Sequence, residues 1–409
     1  MHLTEPTRRQ AVWWMLLLLS LGFLIRCHRI NEPPVLKSTR PYIGVLLSRH
    51  YYFEMSDNIP QWRRDRARES VEREGIMEPP LLPMVTATAF KLTGGERWAT
   101  ARLVVITGWM LGAFALYRLG RCWHSRSASL IGVALFLLMP FGIALSAATQ
   151  PDGWMVAMTI VAWWRLVRAF RTGGLATALG AGLAAGAAIL IKPTCLFVIA
   201  GAVATVLIKS DPNGRRRMRP STLIAMALPS ILVLALYYLP EVIGGSRLSS
   251  QAHMSFDPGL WISPDYYLNW FRTIGSTIGY IAAACIVVLL TQGCRTGGLR
   301  FQIGLWAGYL VYGLIFNHHV STHDYYSLIL VPMTALAAAG AIDCLQRQCS
   351  PMPLPKKGIK LAMCLVAAAL AIDVMAGGKM LANPKEMARV TGRLVGINEA
   401  FLIYASHSY

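Results

Sequence analysis

Apolar runs close to the roughly 20 residues that a helix needs to cross a bilayer recur along the whole chain, separated by short polar loops. Runs such as 128–148 and 175–191 are apolar on every side, where a soluble helix would carry a polar stripe. The pattern predicts spans at about 10–27, 100–117, 127–148, 153–170, 174–191, 193–208, 221–239, 273–291, 301–317, 326–344 and 359–376. An all-α polytopic membrane protein with about eleven transmembrane helices is therefore expected.

Between the first two spans, residues 28–99 form a long segment of different character. Residues 61–75 mix Arg63, Arg64, Arg66, Arg68 and Arg73 with Asp65, Glu69, Glu72 and Glu74, as a solvated helix with i,i+4 charge pairs would. Residues 81–92 are apolar but too short to span, so they read as a second interfacial or half-inserted helix. The Gly/Ala-rich run 173–188 permits close helix packing. Residues 1–376 read as one transmembrane domain, with 28–99 as its first external loop. Residues 377–409 read as a short external tail, possessing one strand-like stretch at 400–405 that needs a neighbour or a second subunit to pair with.

Composition agrees. Of 409 residues, 55% are hydrophobic and 14% charged, too few charges to cover a soluble surface of this size. The formal charge of +19 raises the question of nucleic acid, but the excess sits in short loops between apolar runs and no soluble basic domain carries it. The same loops fix the topology, because Lys and Arg concentrate on the cytoplasmic side. Placing the basic loop 209–219 inside makes the first helix run outward and the first loop external. The loop 317–325, without Lys or Arg, then falls outside. Arg8-Arg9 precede the apolar run 11–25, and Ile25-Arg26-Cys27-His28 offers no small-residue cleavage site, so an uncleaved first helix is expected. Eight cysteines without regular spacing predict neither a disulfide framework nor a zinc site.

With this topology, unusual polar stretches collect at the outer boundary: Lys37 to Tyr42, Glu78-Pro79-Pro80, Gln150-Pro151-Asp152, Ile191-Lys192-Pro193 and His318 to Tyr326. Ionisable groups at membrane depth are costly and tend to be paired or functional. Each has a plainer reading. Glu78 serves as an exposed loop acid, Asp152 as a helix N-cap, Lys192 as a side chain reaching the headgroups, and His323-Asp324 as a structural pair. Arg40 and Arg49 fit general contacts to lipid phosphates, and the tyrosines fit the aromatic belt. His318, His319 and His323 together invite a metal reading, which a lone histidine cluster in a loop rarely justifies. Taken together, carboxylates that accept a hydroxyl proton beside cations that stabilise a departing phosphate suit sugar transfer from a lipid-linked phosphate donor.

The order of these motifs resembles bacterial relatives of the protein O-mannosyltransferases and lipid A aminoarabinose transferases, which are C-type glycosyltransferases. Ser38-Thr39-Arg40-Pro41-Tyr42 through Leu47 to Tyr52 resembles the family's first external loop. Glu78-Pro79-Pro80-Leu81, Gln150-Pro151-Asp152, Ile191-Lys192-Pro193 and Thr322 to Leu328 resemble its later motifs, over roughly residues 10–345. The resemblance implies inverting transfer of a hexose or pentose from a polyprenyl-phosphate sugar to a lipid, glycan or protein acceptor. The enzyme would sit in the bacterial inner membrane, with its site facing the periplasm or exterior. It implies Glu78 and Asp152 as catalytic acids, Arg40, Lys192 and His323 as donor-phosphate partners, and Tyr42, Tyr325 and Tyr326 as substrate contacts. Some relatives bind a divalent metal near the site and others do without one, so a metal stays open as a cofactor. Many relatives carry an acid where this chain has Ser38 and Thr39, which leaves proton transfer to Glu78 or Asp152, or marks a non-catalytic member. A flippase for a lipid-linked saccharide is the rival reading, and transporters of that kind often show paired repeats that this chain lacks.

Overall fold

The computed structural model describes residues 5–28, 30–32, 40–208, 219–244, 247–291 and 297–348. The expected span at 359–376, the tail with its strand-like stretch, and Ser38 and Thr39 lie outside them. Described residues form helices and no strand.

Helix α1 (Arg8–Cys27) opens with Thr7 and Gln10 bonding each other's backbone N–H groups, a capping box. The segment expected as the first external loop folds into α2 (Arg40–Glu54), α3 (Gln61–Glu74) and α4 (Leu81–Leu92), so helices form at both stretches read from the sequence as interfacial helices. On α3, Glu69 pairs with Arg73 at 3.5 Å and with Arg66 at 3.6 Å. Arg49 does not reach out to lipid phosphate. It bonds Glu96 at 2.7 Å, nearly buried, and ties α2 to the approach of the next helix.

The bundle continues with α5 (Trp98–Gly120), α6 (Arg126–Leu138), α7 (Pro140–Ser146), α8 (Asp152–Thr172), α9 (Leu175–Ile191) and α10 (Leu196–Ile208). The expected single span at 127–148 is broken: α6 and α7 meet at 60°. Pro140 explains the break, because its ring disfavours helical backbone at Met139. Helix α11 (Pro220–Val233) passes through a π-helical turn at Leu234–Tyr238 into α12 (Leu239–Ile243), and α13 (Arg247–Ser255) and α14 (Pro264–Thr291) follow. Gly279, at φ 69°, kinks α14. The chain proceeds through α15 (Gly297–Ile315), the short α16 (Asn317–Thr322) and α17 (Leu330–Gln348).

By length and composition, four described segments can cross a membrane (Arg8–Cys27, Trp98–Gly120, Pro220–Ile243 and Asp324–Cys344), and the bent α6–α7 pair makes a fifth. Helices α8, α9, α10, α14 and α15 lie where further spans were expected. Small residues set the spacing: a Cβ on Gly201 of α10 would lie 2.1 Å from the Gly304 carbonyl of α15, and one on Gly182 of α9 2.5 Å from that of Met226. Nearly all of the apolar stretch within Asp324–Cys344 is buried, and α17 packs against α5, α6, α14 and α15. Cys344 is disulfide-bonded, a departure from the cysteine pattern expected above, while Cys27, Cys122 and Cys195 are free.

Candidate functional site

Three proline-controlled breaks deliver the charged side chains. Pro193 disfavours helix at the residue before it, so α9 ends and Lys192 takes an extended conformation with φ −162°. Its side chain turns inward instead of reaching the headgroups, and only 2% of the residue is exposed. Pro151 occupies the N-cap of α8 and sets Asp152 in the first turn, where a carboxylate is favoured by the helix dipole. Asp152 makes no capping bond. It accepts from Lys192 Nζ at 2.6 Å. Pro79 and Pro80 precede α4 and hold Glu78 just outside it, where Arg40, at the start of α2, forms an ion pair with it. Glu78 is thus a paired, largely covered acid rather than a free loop carboxylate.

The two ion pairs belong to one site. Arg40 is within electrostatic reach of Glu78, Asp152, Tyr325 and Tyr326, and Tyr326 of Arg40, Glu78 and Asp152. The 3₁₀ turn Asp324–Ser327 lays both tyrosine rings over Lys192, whose Nζ is 4.2 Å from the Tyr326 centroid and 4.9 Å from that of Tyr325. These rings pack inside the site and do not form an outer belt. His319 stacks parallel on Tyr326, with centroids 4.9 Å apart. His323 stands edge-on to Tyr326 at 6.1 Å, and its Nδ1 is 2.8 Å from Thr322 Oγ1. Partial burial, with His318 and Lys192, lowers the His323 pKa below its ordinary 6.5, against the pull of Asp324. Tyr42 is not brought to this cluster; it stands edge-on to Trp98 at 5.9 Å and packs against Val45 and Phe90.

Beside the pairs opens a cleft of about 670 Å³, its mouth included, lined by Arg40, Ser48, Glu78, Thr86, Thr149 and Pro151 among others. Glu78 therefore faces the cleft. Asp152 is fully buried behind Pro151, and its second oxygen, Oδ2, has no hydrogen-bond partner among the described residues. Among the described residues no three His, Cys, Asp or Glu side chains are grouped to hold a metal ion.

Residues that the sequence reading passed over support this geometry. Arg26 is turned into the bundle, donating to the carbonyls of Gly22 and Leu137 at 2.9 Å and to Ser146 Oγ at 2.5 Å. It thereby satisfies a carbonyl left over where α6 breaks. Arg102 donates to the Ala147 carbonyl at 3.0 Å, and Thr149 to that of Pro41 at 2.6 Å. The turn leading to Asp152 is fixed from three sides. Tyr238 is buried within reach of Glu78 and donates to the Leu190 carbonyl at 3.0 Å. Its signal was a Tyr-Tyr-Leu-Pro sequence at the end of an expected span.

The architecture has counterparts among solved structures. ArnT from Cupriavidus metallidurans, in a crystal structure bound to undecaprenyl phosphate, superposes with a TM-score of 0.62 at 15% identity, over 97% of this chain and 75% of that one. The chain has the C-type glycosyltransferase fold. Two other proteins with the C-type glycosyltransferase fold align over smaller shares of their own length. The mycobacterial arabinofuranosyltransferase AftD matches with a TM-score of 0.55 at 16% identity, over 94% of this chain and 29% of that one. The Archaeoglobus fulgidus oligosaccharyltransferase in its apo form matches at 0.50 and 15%, over 90% and 56%. Residues 77–238 match the family model described as dolichyl-phosphate-mannose-protein mannosyltransferase, a stretch that holds Glu78, Asp152, Lys192 and Tyr238. Comparison with curated protein sequences gives no match.

Proposed function

We propose that this chain is a membrane glycosyltransferase that moves a sugar from a polyprenyl-phosphate donor to a lipid, glycan or protein acceptor at the extracytoplasmic face of the bacterial inner membrane. The observation that carries the reading is the meeting of two acid–base pairs, Arg40 with Glu78 and Lys192 with Asp152, beside one cleft. The matched mannosyltransferase family and the ligand in the ArnT crystal structure support a lipid-phosphate donor.

In this reading Arg40 is shared between Glu78 and the donor phosphate. Phosphate binding draws the guanidinium to itself, since Arg matches the geometry of both carboxylate and phosphate. The freed Glu78 carboxylate then accepts the proton of an acceptor hydroxyl as that oxygen attacks the anomeric carbon. The sugar–phosphate bond breaks, its electron pair leaves with the lipid phosphate, and Arg40 and Lys192 stabilise the charge. Attack opposite the leaving group inverts the anomeric centre. Asp152 holds Lys192 in place from behind, and Tyr325 and Tyr326 offer ring faces to the sugar. His323 stands at the edge of the phosphate position.

The test uses purified protein in vesicles, a radiolabelled polyprenyl-phosphate sugar and extracted envelope glycolipid as acceptor. Release of polyprenyl phosphate with label in the acceptor supports transfer. Passage of intact labelled lipid across the vesicle, without release, would replace the enzyme with a flippase.

A further inference from the structure

The stretch from the end of α13 into the first turns of α14 carries an apolar surface that the bundle leaves uncovered. Met254, Phe256, Trp261, Leu268 and Phe271 are exposed, and Ile262 is 88% exposed. A water-facing loop rarely gathers so many large apolar side chains in so short a stretch.

These residues are held in place. Asn317, wholly buried at the start of α16, clamps the segment through reciprocal bonds: the Asp257 N–H donates to Asn317 Oδ1 at 2.9 Å, and Asn317 Nδ2 donates to the Asp257 carbonyl at 2.6 Å. Asp257 Oδ1 also accepts from the Gly259 N–H at 2.8 Å and starts the 3₁₀ turn Pro258–Ile262. Trp261 Nε1 donates to the Leu314 carbonyl at 2.8 Å, and Tyr267 OH to that of Trp261 at 2.8 Å. The polar atoms of both aromatic residues are therefore satisfied inside the protein, while parts of both rings face outward.

Continuity identifies what covers this shelf. The Trp261–Leu314 bond seats it against the last turn of α15, where Leu310, Val311, Leu314 and Ile315 are exposed on the flank of an expected span. The shelf prolongs that lipid-facing flank past the end of the helix, and a mixture of Trp, Tyr and aliphatic side chains suits the boundary between acyl chains and headgroups. Through Asn317 it is joined to α16, which carries His319 and so lies at the same end of the bundle as Lys192 and Tyr326.

We infer that residues 254–271 form an interfacial foot, bedded in the headgroup–acyl boundary of the leaflet on the site's side, with lipid as its partner. The foot fixes the height of the cleft above the membrane surface. This does not depend on the reaction assigned to the cleft.

The experiment incorporates an environment-sensitive fluorescent residue at Ile262 in the full chain, reconstituted in phosphatidylcholine–phosphatidylglycerol vesicles. The great exposure of Ile262 lets the substitution leave the packing alone. Nitroxide placed at the top of the acyl chains removes most of the emission, and aqueous iodide removes little. Strong quenching by iodide with little by nitroxide lipid overturns the foot. So does protection from both quenchers, which would mean that a second copy or another protein covers the shelf.

Discussion

Lys192 and Asp152 meet at 2.6 Å inside the bundle, their side chains 3% and 0% exposed. Two charges removed from water pay a desolvation penalty that their attraction barely repays, so such a pair adds little net stability, yet breaking it is costly. Lys192→Met alone strands a carboxylate and should lose about 3–5 kcal/mol. The double variant Lys192→Met with Asp152→Leu should recover most of that and still transfer no sugar. Thermal unfolding in detergent beside label transfer separates the two effects. A double variant as unstable as the single would mean that the pair itself holds the helices together.

Glu78 differs from Asp152 in facing the cleft. Glu78→Gln keeps the shape and a hydrogen-bond acceptor for Arg40 but cannot take up a proton. It should lower kcat by roughly 10²–10⁴, the range typical for loss of a general base, with donor binding retained. Asp152→Asn should instead act through Lys192 and weaken donor binding, read as raised KM. Wild-type turnover in Glu78→Gln would remove it from the reaction.

The sequence and the structure agree where a signal was local. Long apolar runs gave the helix positions, and alternating charges gave α3, because both report the environment of their own residues. Helix α2 was not legible: Val45 packs with Phe90 and Trp98, while Leu46 and Leu47 pack with Val71, so two burial directions blur the helical period. The break inside α6–α7 was marked by Pro140 but hidden in an unbroken apolar run. The site residues themselves stood out as polar groups at the membrane boundary. Which acid meets which base did not, since pairing depends on tertiary contacts 38 and 40 residues apart in sequence. Arg26, which the sequence marked only as part of a stretch without a cleavage site, is an internal brace, because its partners Leu137 and Ser146 lie more than a hundred residues away.

Gly44 gives a test of the scaffold near the cleft. A Cβ there would lie 2.2 Å from the Thr149 carbonyl, a backbone atom that cannot swing aside. Gly44→Ala should push α2 away from the turn that carries Asp152 and destabilise the fold by about 1–3 kcal/mol, as overpacking does. Because Arg40 rides on α2, donor affinity should fall as well. Normal stability and affinity in this variant, by unfolding and by binding of polyprenyl phosphate, would show that the contact between α2 and this turn is slack.

His323 supplies a pH signature with a defined sign. Its folded pKa lies below the ordinary 6.5, chiefly because burial disfavours the charged ring, with His318 and Lys192 adding to the effect. The unfolded chain therefore binds this proton first. The stability contributed by neutral His323 is present above about pH 6.5, declines as pH falls through that value towards the folded pKa, and loses no more below it. His50 is shifted the same way by its own burial, so wild type alone cannot isolate the effect. The difference between wild type and His323→Gln can. Unfolding midpoints taken between about pH 5 and 7.5 should fall less steeply on the acid side for the variant. Parallel curves would mean that His323 keeps the same proton affinity in the folded and unfolded chain.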